Sequence, residues 1–421
     1  AGATLKLTAA QASGKQITGT NTSTIEVYGI DGTTDLSGLS STANVKVVLA
    51  NAGTFDVTDN PKLGNVDGYV LENASTVLQV KESQISGKAV TVDPSAMGAT
   101  VVFVGDVVSS NVPVDLRSVD ANALRFDSNS IAVPYTDNER LKLTAAQAIA
   151  LVVNGQTITG SGIVDISGSM ASGAVLDMSA LVSDSALLLM HNGSYDAFAM
   201  AGDLTLTVAQ ASSTSEKGFN SQGSAGGTVH IKGDVPSDSG LDLSRYFTVL
   251  DFSAGGLGIS VGAGSTLTLR PDQVGSQSVS GDGTLVLSGL FGGIVNLTTD
   301  LAGVSTSIDV SDLSNASLEG VWQTNQLAAG HSLTLNYAQA NGATWSAGLG
   351  DVVIKNINAE SSGDYSGVTG AHVTATLNDS MIFTGSLASN ASVVVGDGAV
   401  LTWTGYGSHA INGPGTFNFI G

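Results

Sequence analysis

Apolar and polar positions alternate along the chain in short bursts, each closed by glycine or by Ser, Thr, Asn and Asp. IEVYG to Gly29, VFVG to Gly105, VDISG to Gly168, VHIKG to Gly233 and LVLSG to Gly289 are of this kind. A period of two buries one face of a β-strand and leaves the other wet, and the closing residues are those of tight turns. The pattern predicts an all-β chain of short strands with almost no room for a long helix.

One burst belongs to a longer phrase. LKLTAAQA at Leu5 to Ala12 returns letter for letter at Leu141 to Ala148, and looser copies begin at Leu78, Leu204, Leu267 and Leu333. Every copy places a glutamine six residues after its first leucine: Gln11, Gln84, Gln147, Gln210, Gln273 and Gln339. The starts at 78, 141, 204 and 267 are 63 residues apart, which makes this an internal repeat. Leu-x-Leu reads as a strand, and Thr-x-x-Gln is the capping-box pattern that starts a helix. Thr8 is expected to accept from the Gln11 N–H while the Gln11 side chain reaches back. Asn336 is a good N-cap in the last copy and Pro271 suits a first helical position, whereas Lys81 and Arg270 predict weaker caps. The apolar residue after each glutamine (Ala12, Ile85, Ala148, Ala211, Val274 and Ala340) should pack a single turn onto the core. The six glutamines are therefore read as structural repeat corners.

Farther along each copy lies an Asp-apolar-Ser element, at Asp35, Asp177, Asp242 and Asp309, with Asp115-Leu116-Arg117 as a departure. The repeat divides the chain into 1–77, with an insertion loop at Asn60 to Val70, then 78–140, 141–203, 204–266, 267–332 and 333–380. The last segment, 381–421, lacks the glutamine corner and is expected to be a cap or assembly segment. Solenoid coils of about twenty residues fit three to a unit. Immunoglobulin-like sandwiches want roughly a hundred residues and seven strands. The sizes favour an elongated repeat array built as a parallel β-solenoid, with tandem small β-sandwich modules as the alternative.

Composition narrows the function classes. Among 421 residues, 42% are hydrophobic but only 5% aromatic, which suits thin layers of Val, Leu, Ile and Ala. Thirty-six acidic against fifteen basic residues give a net charge of −21, which argues against nucleic acid and anionic membranes as partners and favours cations. Aspartates in Gly/Ser/Asn turns offer the oxygen ligands calcium prefers, so structural calcium is a candidate with no single site assigned. Acidic surfaces also arise for solubility. Cysteine is absent, removing disulfides, zinc thiolates and thiol catalysis. No run is long enough to span a membrane, and AGATLKL reads as the start of a strand in a mature product.

Catalytic signals are weak. GISVG around Ser260 fits the nucleophile elbow, yet that motif needs a strand, a turn and a helix, and here the chain runs into another strand. His191, His230, His331, His372 and His409 are dispersed without metal-ligand spacing, and His230 reads as a surface side chain. A carboxylate pair for sugar cleavage would meet only in space. Three tryptophans, Trp322, Trp345 and Trp403, read as core or interface anchors.

LTAAQA, ITGSGIVDISG and the Asp-apolar-Ser element together resemble the β-strand repeats of large bacterial cell-surface proteins, including surface-layer proteins and giant adhesins. The resemblance covers nearly the whole chain through packing and turn signals of low specificity. It implies an extracellular place at a bacterial cell surface, a structural or adhesive role, often calcium, and no catalytic residues. The leading expectation is a self-assembling subunit of a surface layer or filament, with Leu5, Leu7, Phe417, Phe419 and Ile420 as assembly contacts covered by a second copy of the chain. The alternatives are a monomeric adhesin binding a surface glycan through the loops Asn60 to Val70 and Ser212 to Gly227, and a polysaccharide-cleaving solenoid enzyme.

Overall fold

The computed structural model describes residues 2–39, 42–107, 113–134, 140–183, 186–191, 198–214, 219–220, 227–244, 246, 249–252, 258–274, 277–288, 306–311, 327–342, 344–357, 363–377, 381–383, 386–387, 389–397, 399–403, 410–413 and 415–419. The chain forms two compact units, Ala1–Thr228 and Val229–Gly421, so their boundary falls inside the repeat at 204–266. Strand is the dominant element.

The first unit opens with strands β1 (Thr4–Thr8), β2 (Thr24–Tyr28), β3 (Asn44–Leu49), β4 (Gly53–Asp56), β5 (Gly68–Leu71), β6 (Thr76–Val80), β7 (Ala89–Val92) and β8 (Thr100–Phe103). One sheet takes β1, β2, β3, β5 and β7 in that order, and a second takes β4, β6, β8 and the strand Leu124–Phe126. Every strand pair of the described residues with an assigned register is parallel. This differs from the antiparallel pairing of immunoglobulin-like sandwiches. Parallel neighbours usually need a crossover helix. Here a strand of the other sheet stands in its place, with β4 lying between β3 and β5 in the chain and β6 between β5 and β7.

The registers stack like on like. In the second unit, one nine-stranded sheet carries an unbroken inward row: Leu241, Leu267, Leu285, Ile308, Leu333, Val352, Val373 and Ala391. All eight are buried. Each fully buried Leu, Ile or Val of this kind stabilises by about 1.5–3 kcal/mol, so the row is a principal source of cohesion. Alternation in sequence thus becomes lateral stacking between rungs.

Among the described residues seven short α-helices break the strands: α1 (Ala9–Ala12), α2 (Glu82–Ile85), α3 (Ala145–Val153), α4 (Met178–Leu181), α5 (Val208–Thr214), α6 (Pro271–Val274) and α7 (Tyr337–Ala340). Two exceed the single turn expected, α3 with nine residues and α5 with seven. The cause is where the stop signal falls. Ser13-Gly14 follows α1 at once, with Gly14 at φ 68°, whereas Ala148-Ile149-Ala150-Leu151 runs on until Asn154-Gly155, with Gly155 at φ 64°.

Asn60 to Val70 is not an insertion loop. Pro61–Leu63 makes one helical turn capped by Asn60, then β5 pairs with β3 on one side and β7 on the other. Asn60, Leu63, Val66 and Tyr69 are buried, and Asn60 Nδ2 donates to the Thr34 carbonyl at 2.9 Å. The extra length relative to the other repeats forms part of the sheet, because its apolar residues have the spacing to do so. Most of Ser212 to Gly227 lies outside the described residues. After residue 381 the parallel pairing continues, Leu401 facing Phe417 and Val393 facing Ile411.

Candidate functional site

The six glutamine corners share one geometry. Thr8, Thr144, Thr207 and Asn336 accept from the N–H of Gln11, Gln147, Gln210 and Gln339 at 3.3, 3.2, 3.2 and 2.9 Å. Each glutamine Oε1 in turn accepts from the cap N–H, at 2.9, 2.8, 3.0 and 2.7 Å. Lys81 and Arg270 have no side-chain acceptor. Only half of the box forms there, with Gln84 and Gln273 Oε1 accepting from the Lys81 and Arg270 N–H at 2.8 and 2.7 Å. The residues after the glutamines, Ala12, Ile85, Ala148, Ala211, Val274 and Ala340, are all fully buried.

What capping alone does not explain is the amide nitrogen. Gln147 Nε2 donates to the carbonyls of Leu116 and Val119 at 2.6 and 2.7 Å, and Gln210 Nε2 to those of Met178 and Val182 at 3.0 and 2.8 Å. Gln273 repeats this toward Leu243 and Tyr246, and Gln339 toward Val310. The first acceptor in each case is the middle residue of an Asp-apolar-Ser element, Leu116, Met178, Leu243 or Val310, each buried to its full extent. A corner therefore holds its own helix start with one atom and the preceding Asp-x-Ser turn with the other. Arg270 adds a second tie, its guanidinium donating to the Ser244 and Tyr246 carbonyls at 2.9 and 2.8 Å.

The aspartates of these turns are also committed. Asp35 Oδ1 accepts from the Ser37 N–H at 3.1 Å and its hydroxyl at 2.6 Å, and Asp242 and Asp309 do the same with Ser244 and Ser311. At Asp115 the Arg117 guanidinium replaces the hydroxyl. The same local turn occurs at Asp31, Asp56, Asp93 and Asp364, all with Ser or Thr two residues on, a spacing legible in sequence. The Ser37 hydroxyl, helped by Lys62, holds the Asp35 carboxyl at about 2, and the Ser366 and Ser386 hydroxyls hold Asp364 at about 2. No group of three or more His, Asp or Glu side chains converges among the described residues.

Three histidines pair with aspartates on neighbouring rungs, which sequence reading did not foresee. His191 Nε2 lies 2.6 Å from Asp165 Oδ1, His230 Nδ1 2.8 Å from Asp251 Oδ2, and His372 Nδ1 2.8 Å from Asp351 Oδ1. His230 is accordingly half-buried. His409 lies outside the described residues. Ser260 ends the short strand Ile259–Ser260, donates its N–H to Asp234 Oδ1 at 2.9 Å, and is followed by a turn and the strand Thr266–Leu269. The helix a nucleophile elbow requires is missing there. Trp345 is buried, its Nε1 donating to the Gln339 carbonyl at 3.1 Å, so it braces a corner from behind. Trp322 and the Trp403 side chain lie outside the description.

The expected assembly residues fall on sheet edges. β1 has β2 on one side and no strand of the described residues on the other. Leu5 is 45% exposed and Leu7 half-buried, unlike Leu141 and Leu143 at the same places in the identical phrase, which are fully buried. Phe417 and Phe419 belong to the strand Thr416–Phe419, which among the described residues pairs with Val400–Trp403 alone, and Ile420 lies outside the described residues. No helix of the described residues is long and apolar enough to cross a membrane. No family model, curated protein or solved structure matches the chain.

Proposed function

We propose that this chain is a non-catalytic structural subunit, coiled as a parallel β-solenoid, that self-assembles at a bacterial surface. The observation that carries the reading is the contrast between two copies of one phrase. Leu141 pairs with Val114 on one side and Val164 on the other and Leu143 pairs with Ile166, both leucines fully buried, while Leu5 and Leu7 line an edge that no other strand of the described residues covers. An open parallel edge presents unpaired N–H and C=O groups beside apolar side chains, and a strand of a second copy satisfies both. Because the two edges of a parallel stack differ, such contacts run head to tail and propagate into a filament or lattice. Lys6 faces Glu26 across the first rung, so an incoming strand with an acidic residue opposite Lys6 continues the alternation.

Copies carrying a net charge of −21 repel one another, and calcium bridging acidic turns of neighbouring subunits would relieve that repulsion. The cysteine-free, acidic composition supports an exported setting. Sedimentation velocity on the full chain and on Leu5→Lys tests the reading. The wild type should form large species and Leu5→Lys should sediment as a monomer with an unchanged circular dichroism spectrum. Equal assembly of the two would overturn the edge contact.

A further inference from the structure

The outer face of the first sheet carries a hollow. Glu26, Lys46, Gly68 and Ala89 stand side by side in one register row across β2, β3, β5 and β7. The first two present long side chains and the last two present none beyond a methyl, which opens a cavity of about 480 Å³. Gly68 has a packing reason, since a Cβ there would lie 2.6 Å from the Ala89 carbonyl oxygen. Ala89 has none of that kind, for its side chain is exposed on a strand where β-branched and aromatic residues are preferred.

We propose that this hollow binds a neutral, hydroxyl-rich sugar unit. Gly68 and Ala89 give an apolar floor suited to the C–H face of a pyranose ring. Asn44, Lys46, Asp67 and Thr91 line its rim. Asp67 is fixed in place, its Oδ2 accepting from the Val45 N–H at 2.7 Å. The rim offers donors and acceptors together, as vicinal hydroxyls require. Charge selects against ionic ligands, because an anion drawn to Lys46 meets Asp67 and a cation drawn to Asp67 meets Lys46. The volume lies within the range of small-molecule sites. Part of the stretch Asn60 to Val70 lines the hollow, Asp67 just before the strand Gly68–Leu71 and Gly68 to Val70 within it.

Saturation-transfer NMR tests the site with the full chain and, as probes, the methyl glycosides of glucose, galactose, mannose and N-acetylglucosamine, with glucuronate and glucose 6-phosphate as charged probes. Running it on both wild type and Leu5→Lys separates the result from assembly. At least one neutral glycoside should show transfer to its ring protons, exceeding both charged probes. Ala89→Tyr should abolish it by filling the hollow, Lys46→Ala and Thr91→Ala should each weaken it, and Lys15→Ala outside the hollow should leave it unchanged. The rim variants truncate the half-buried Lys46 and the exposed Thr91 without adding bulk, so they decide the matter should Ala89→Tyr fail to fold. No transfer to any neutral glycoside, transfer that survives the hollow and rim variants, or a stronger signal from glucuronate or glucose 6-phosphate would each overturn the proposal.

Discussion

At the scale of single residues, one side chain type does two things. Gln147 is fully buried and bonded at both ends of its amide, to the Thr144 N–H and to two carbonyls of the preceding turn. Gln11 is exposed and carries only the capping bonds. Leaving a buried polar group unpaired costs about 1–3 kcal/mol, so Gln147→Ala should destabilise the first unit by at least about 3 kcal/mol. Gln11→Ala should cost about 1 kcal/mol or less, the scale of an exposed cap. Chemical denaturation of the two variants checks the difference. The capping half was legible because Thr-x-x-Gln is local. The amide's reach was not, although one signal was present: a capping box accepts Glu as readily as Gln, yet all six copies in an acidic chain use Gln. Only Gln has an N–H to give. Asp35 and Asp364 make a pH prediction. Their folded values lie below the ordinary carboxylate value, so their contribution is present above about pH 4 and is lost as pH falls through about 2. Thermal melts should steepen in their fall over that window, and Asp35→Asn should flatten part of the slope.

At the scale of elements, period-two alternation marked the strands but could not assign them to sheets. β3 and β4 follow one another closely in the chain, yet they belong to different sheets, because sheet membership depends on where the chain turns. The turn at Gly160 shows how tightly that is set. Its φ is +98°, and a Cβ there would lie 2.2 Å from the Val133 carbonyl oxygen, so both conformation and space demand glycine. Gly160→Ala should cost about 2 kcal/mol or more through strain and displacement of the neighbouring rung, read as a fall in the unfolding midpoint. Helix length followed a rule that was also visible, since α3 continues until Asn154-Gly155 supplies the stop. In Asn60 to Val70 added length relative to the other repeats does not mean a loop, because Leu63, Val66 and Tyr69 have the spacing to enter the core.

At the scale of the whole molecule, parallel against antiparallel pairing is invisible to alternation and was reached only through repeat length. Within each unit the described registers stack like strand on like strand, joined by backbone pairing and, at several corners, by a glutamine amide. Deleting residues 414–421 removes the edge strand Thr416–Phe419 and exposes Val400–Trp403 in its place. On the assembly reading the truncated chain should keep its β spectrum and lose ordered association, measured by light scattering. Electron microscopy of the purified full chain, in calcium and then in chelator, tests the central claim most directly. The account predicts ordered filaments or sheets in calcium, dissolving on chelation where cations bridge the subunits and persisting where strand pairing suffices. Single particles under both conditions, at concentrations where Leu5→Lys is also monomeric, would contradict it.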